Sequence, residues 1–168
     1  MRKITSLLIL VFVCSVAANA QMAKFHALYL FNFAKNIGWP PEDADNAIVI
    51  SVLGDNDVAT ELSTLAKTKK VGSRAVTVNN CTNVAEVGEC DIVFVSETKS
   101  GQIGAVLNAV SKYNTLVVSG KKGQCAVGAG IAFMSDGGKL NFQISKVNIN
   151  KAGLNVSNQL LGLGTVVD

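Results

Sequence analysis

The chain has 168 residues, of which 49% are hydrophobic and 16% charged, and its mean hydropathy of +0.35 is high for a globular domain. Part of that figure belongs to residues 1–20, where Met1-Arg2-Lys3 precedes an apolar run from Ile4 to Ala18 and the exit Ala18-Asn19-Ala20. A basic start, an apolar middle too short to span a bilayer and a small-x-small exit are the parts of a secretory signal, read here as cleaved after Ala20. The remaining 148 residues carry 13 basic and 12 acidic side chains, a balance that excludes a basic, nucleic-acid-seeking protein. No second apolar run is long enough for a membrane pass, and residues 21–168 suffice for one domain placed beyond the inner membrane.

Residues 22–37 put Phe25, Leu28, Tyr29, Leu30, Phe31, Phe33 and Ile37 around most of a helix surface. A helix apolar on so many sides is buried on several of them or docked on a partner, and Trp39-Pro40-Pro41 stops it. The continuous β-branched run from Ala47 to Leu53, bounded by Gly54, predicts a strand covered on both faces. Asp55-Asn56-Asp57 then offers caps for a helix through about Lys67. Further strands are expected at 74–78, 91–95 and 115–118, with a helix over 101–113 that sets Ile103, Val106, Leu107 and Val110 on one face. Strands alternating with helices predict an α/β fold, a mostly parallel sheet with helices on both faces. The rhythm then changes to a C-terminal antiparallel hairpin, residues 131–134 and 139–144 around Ser135-Asp136-Gly137-Gly138. Residues 155–166 read as a short helix ended by Gly162 and Gly164.

Catalytic chemistry is sparse, and the chain reads as a non-enzyme with no cofactor and no metal. His26 is the one histidine, so a Ser-His-Asp triad or a histidine-rich zinc site is excluded. The acids fall in loops and caps, and the basic loop Lys67, Lys69, Lys70 and Arg74 reads as a solvated face. Gly120-Lys121-Lys122-Gly123 and Gly128-Ala129-Gly130 do not have the spacing of a phosphate loop. Ligands of open parallel sheets enter beside the carboxyl ends of the strands, which makes Gly54, Ser96 and Ser119 the expected pocket. Outside the signal the cysteines are Cys81, Cys90 and Cys125. Cys81 and Cys90 either close a short loop in an oxidising compartment or serve, as Cys125 does, as small buried hydrophobes.

The segment Ala27-Leu28-Tyr29-Leu30-Phe31-Asn32-Phe33-Ala34-Lys35-Asn36-Ile37-Gly38-Trp39-Pro40 closely resembles the opening motif of the YfiR family of bacterial periplasmic proteins. The likeness continues in residues 52–54, 90–96, 115–119 and 142–144, and closes with Ala152-Gly153-Leu154-Asn155-Val156-Ser157-Asn158-Gln159-Leu160-Leu161. Gly38 stands where the family usually has an acid and Asn36 where it has an aromatic, and Cys90 matches a family position. The resemblance implies a periplasmic regulator that binds the periplasmic part of an inner-membrane diguanylate cyclase or sensor and holds it inactive, so controlling cyclic di-GMP and biofilm formation. The chain is read as a homodimer whose mature part does not enter the membrane, and the apolar excess of residues 22–37 makes Phe25, Tyr29, Phe33 and Trp39 the expected partner or dimer contact, with burial inside the monomer as the alternative. A periplasmic small-ligand-binding domain is the alternative, since the fold resembles a lobe of solute-binding proteins.

Overall fold

The computed structural model describes residues 21–40, 47–136 and 139–167; the expected secretory signal, the acids Glu42, Asp43 and Asp45 and the hairpin-turn glycines Gly137 and Gly138 lie outside them. Helix α1 covers residues 21–36 and runs into a short strand, β1 (Ile37–Gly38). There follow β2 (Ile48–Leu53), α2 (Asn56–Ala66), β3 (Val76–Cys81), β4 (Ile92–Val95), α3 (Ile103–Ala109) and β5 (Leu116–Ser119). The hairpin is β6 (Ile131–Asp136) and β7 (Lys139–Ile144), and the chain continues through α4 (Lys146–Lys151), β8 (Asn155–Val156), α5 (Asn158–Leu161) and β9 (Thr165–Val166).

Seven strands form one sheet in the order β3-β2-β4-β5-β6-β7-β9, parallel except where β6 meets β7. The expected α/β sheet with a closing antiparallel hairpin is therefore present. Strands β4 and β5 are buried at every position because both faces are covered, which is why their sequences are continuous apolar runs. On one face α1, α2 and the tail residues Ile149, Leu154 and Leu160 cover Ile50, Val52, Phe94, Val118 and Phe133. On the other, Ile103, Val106 and Val110 cover Leu53, Val93, Val95 and Val117. Asp55 caps α2 by accepting the Val58 N–H at 3.0 Å.

Helix α1 is held by an aromatic stack. The register pairs Phe133 directly with Phe142, so both rings leave the same face of the hairpin. Phe33 fits against them with ring centroids 5.6 and 5.0 Å away. Tyr29 lies 5.5 Å from Phe142 and donates to the Leu140 carbonyl at 3.3 Å. His26 sits 4.6 Å from Phe133 and 5.4 Å from Phe94. Such pairs contribute about 0.5–1.5 kcal/mol each beyond the area they bury.

The structure differs from the expected elements where distant segments meet. Helix α1 ends at Asn36, one residue early, because Ile37 and Gly38 pair antiparallel with Val156 and Asn155. The expected tail helix shrinks to α5, flanked by β8 on β1 and by β9 on β7. Gly164 permits the second of these contacts, since a Cβ there would lie 2.5 Å from the Phe142 ring. The segment 97–102 is a 3-10 turn, so the α-helix expected from Gly101 begins at Ile103. The strand expected at 74–78 is shifted to β3, because Arg74 is turned inward. It pairs with Asp91 at 3.4 Å, the two side chains being 9% and 14% exposed, and its guanidinium also reaches the Ala47 carbonyl. Arg74 thus leaves the solvated basic face to which the sequence assigned it. Asp91 accepts the Val49 N–H at 2.7 Å as well, so one carboxylate joins β2, β4 and the approach to β3.

Two consequences are measurable. Asp91→Ala removes the carboxylate partner of a largely buried guanidinium and the acceptor of the Val49 N–H, and should lower the urea unfolding free energy by about 3 kcal/mol; a loss below about 0.5 kcal/mol would remove the pair from the fold's support. Burial holds the His26 imidazole below its ordinary value of 6.5, with nearby Asp55 pulling the other way. In that window the unfolded chain takes up the proton more readily than the folded one, so stability decreases as pH drops below about 6.5. Unfolding curves between about pH 7.5 and 5 should show this slope, and His26→Gln should flatten it.

Candidate functional site

The parallel strands set up two distinct ends. At the carboxyl end the register Leu53↔Val95 and Val95↔Ser119 brings Gly54, Ser96 and Ser119 together, which is where the sequence places its expected pocket. Gly54 turns the chain out of β2 with φ +81°, a conformation that favours glycine. A Cβ at Gly54 would lie 2.4 Å from Lys99 Cγ and 2.8 Å from Ser96 Oγ, so the Lys99 stem lies across it. Ser96 Oγ and Thr98 Oγ1 are hydrogen-bonded at 2.9 Å, and Ser119 Oγ accepts the Lys121 N–H at 3.1 Å. This end is lined by side chains already engaged with their neighbours.

Cys81 and Cys90 lie together on the α3 face. Cys81 ends β3, Cys90 precedes β4, and both are buried beside the hydroxyl of Ser51 in β2, a contact that favours either thiolate. Among the described residues the wholly buried Ser51 Oγ makes no hydrogen bond. Burial pushes the Cys90 thiol up to about 11 and raises Cys81 as well, with Glu86 adding to the latter. Thiols so protonated are poor nucleophiles. The Glu86 carboxyl is held below the usual carboxylate range by hydrogen bonds from Thr82, which close the turn after β3. Cys125 is buried as well, and its Sγ lies 3.8 Å from the Gln143 carbonyl oxygen.

The expected contact residues on and after α1 separate by exposure. Phe33 is fully buried and Tyr29 is half-buried in the stack. Trp39 is half-buried and donates Nε1–H to the Ala34 carbonyl at 2.9 Å, tying the residues after α1 to its last turn. Phe25 is 42% exposed.

The sequence reading missed a cavity of about 300 Å³ at the opposite, amino end of β5 and β6. Its walls come from Leu107 and Val110, from residues between Ser111 and Val117, from Gly128 and Gly130, and from Asn148, Ile149, Lys151 and Ala152. Gly130 is required there, because a Cβ would lie 2.8 Å from Leu116 and 2.9 Å from Ile149. The sequence signal was the pair Gly128 and Gly130, which fits no phosphate loop but allows close packing. Among the described residues no group of three or more His, Cys, Asp or Glu side chains is placed to hold a metal, and no helix is long and apolar enough to cross a membrane.

The two segments that carry the resemblance noted above, 27–40 and 152–161, meet in space. Strand β1 pairs with β8, the Ser157 N–H donates to the Asn36 carbonyl at 2.9 Å, and the Ser157 hydroxyl donates to Asn36 Oδ1 at 3.0 Å. The same hydroxyl accepts the Leu160 N–H and caps α5. No curated protein gives a significant match to this chain. Among solved structures it is similar in fold to a conserved domain protein from Vibrio cholerae O1 biovar El Tor, with TM-score 0.57 and 13% identity. The match covers 87% of this chain and 60% of that one, so the chain spans less than two thirds of that protein's length. The YfiR/HmsC-like family model matches residues 23–165, from the first turns of α1 to the start of β9, and the chain belongs to that family of periplasmic regulators.

Proposed function

We propose that the protein is exported by residues 1–20 and binds, in the periplasm, the periplasmic part of an inner-membrane diguanylate cyclase, which it holds inactive, thereby limiting cyclic di-GMP and biofilm formation. The observation that carries this reading is the family match, which takes in nearly all of the described chain, both halves of the β1–β8 clasp included. Repression of this kind is a population shift: the protein binds the inactive state of its receptor more tightly than the active one, and each ~1.4 kcal/mol of that difference is about tenfold in the balance. Phe25, Trp39 and the half-buried Tyr29 form the contact to the receptor or to a second copy in a homodimer, while Phe33, wholly buried, supports it only from within the core. The exposed ring of Phe25 beside Lys24 supports that choice, since partly exposed aromatic side chains anchor interfaces.

In the oxidising periplasm Cys81 and Cys90 form a disulfide. Both are free thiols in the structure; their common border on Ser51 and the burial of both side chains support the pairing. A loop of roughly ten residues closed in this way adds about 2–3 kcal/mol by the chain-entropy account.

Deleting the gene should raise cellular cyclic di-GMP and biofilm mass, and restoring it should lower both; unchanged levels in the deletion strain would overturn the repressor reading. Peptide mass mapping of unreduced protein from the periplasm should recover Cys81 joined to Cys90, and recovery of both as free thiols would reject the bridge.

A further inference from the structure

The cavity at the amino end of β5 and β6 is unaccounted for by a regulator that works through protein contact alone. Its walls are apolar: Leu107 and Val110 from α3 and the turn after it, Leu116 and Val117 from β5, and Ile149 and Ala152 from α4 and its cap. Its volume of about 300 Å³ lies at the lower end of the range for small-molecule sites. The polar groups around it are largely committed to the protein's own backbone. Thr115 Oγ1 donates to the Cys90 carbonyl at 2.6 Å and Ser111 Oγ to the Asn108 carbonyl at 2.8 Å. Asn148 Nδ2 donates to the carbonyls of Cys125 and Ala129 at 2.8 and 3.0 Å. The carbonyls at the ends of α3 and α4 are satisfied too, that of Val110 by the Tyr113 N–H, that of Ile149 by the Leu154 N–H and that of Ala152 by Asn114. They therefore present little negative charge to a ligand.

The charge at this site is cationic. Lys151 lines the cavity and makes no ion pair among the described residues, and the Lys112 ammonium lies 5.0 Å from the centroid of the lining Tyr113 ring. No carboxylate is among the lining residues. Between Thr98 and Val167 the sequence carries seven lysines and a single acid, Asp136. Asp136 ends β6 while the cavity adjoins that strand's start, a separation of about 17 Å along a strand of that length. Asp91, on the neighbouring strand's approach, is spent on Arg74.

From the apolar walls, the committed hydroxyls and the unpaired Lys151 we infer that this cavity is a binding site for a small amphipathic anion, an apolar body carrying one carboxylate-like head that meets Lys151 at the mouth. This inference is independent of the repressor reading, and either can fail without the other. A neutral apolar ligand would make no use of Lys151 beyond its place in the last turn of α4, and a cation would be repelled by it. The site also lies at the end of the sheet opposite Gly54, Ser96 and Ser119, so occupancy of the two ends is distinguishable by position.

Sodium octanoate and its neutral isostere octanamide are suitable probes, titrated calorimetrically into protein purified from the periplasm. Octanoate should bind saturably at one site, and about tenfold more tightly than octanamide, as expected for one charge-assisted hydrogen bond. Lys151→Gln should weaken octanoate about tenfold and leave octanamide unchanged. Ser111→Trp, which fills the mouth from an exposed position, should abolish both. Nitrogen-15 chemical-shift mapping on the unmutated protein needs no variant to fold: octanoate should shift amides within 107–117, 128–130 and 148–152 and spare those of Gly54, Ser96 and Ser119. Absence of saturable binding, equal affinity for the two probes, insensitivity to Lys151→Gln, or shifts gathered at the carboxyl end would each overturn the proposal.

Discussion

The fold depends on one covering problem. Helix α1 is too apolar to be left against water, and the sheet alone offers it one flat side. The hairpin solves this by presenting Phe133 and Phe142 as a direct cross-strand pair, between which and α1 the ring of Phe33 is excluded from solvent. Side chains on a strand alternate between faces, so a one-residue slip of β7 against β6 would turn Phe142 to the other face and remove one wall of that packing. The register of the hairpin, the seating of α1 and the closure of the core are thus a single constraint. His26 belongs to the same packing, which is why its ring is desolvated.

Once α1 is seated, the two ends of the parallel strands cease to be equivalent. The carboxyl end turns tightly through Gly54 and is overlaid by Lys99 and the Ser96–Thr98 pair. The amino end is held apart on the β5 and β6 side, where bare glycines let Leu116 and Ile149 approach without filling the space beside them. General rules for open parallel sheets point to the first end. The second is shaped by the change of strand direction at β7, which sends the chain back to the amino end and places α4 there.

Much of the architecture was legible because double-covered strands leave a plain signature. Residues 48–53, 92–95 and 116–118 read as apolar runs interrupted only by Ser51, and Asp55 announces the start of α2 through a bond only three residues long. What was not legible is non-local. Strands β1, β8 and β9 are two residues each and carry no periodicity of their own. Arg74 sits in a lysine-rich stretch, and its inward turn is decided by an aspartate seventeen residues away. The cavity is assembled from segments around Leu107, Gly130 and Ile149, none of which looks like half of a site when read alone. Asn36, a departure from the family's usual aromatic at that position, acquires a reason only once Ser157 is seen against it.

That last contact also has a kinetic meaning. Asn36 and Ser157 are 121 positions apart, and Leu154 and Leu160 join the same core as α1. The hydrophobic core therefore cannot close around α1 until the chain has been made through residue 160 or so, and closing so large a loop is entropically costly. Topologies dominated by such distant contacts fold slowly. A chain built this way stays pliable while it is being synthesised. The same delay leaves the aromatic helix uncovered in the meantime, so an escort that shields it is favoured before the clasp shuts.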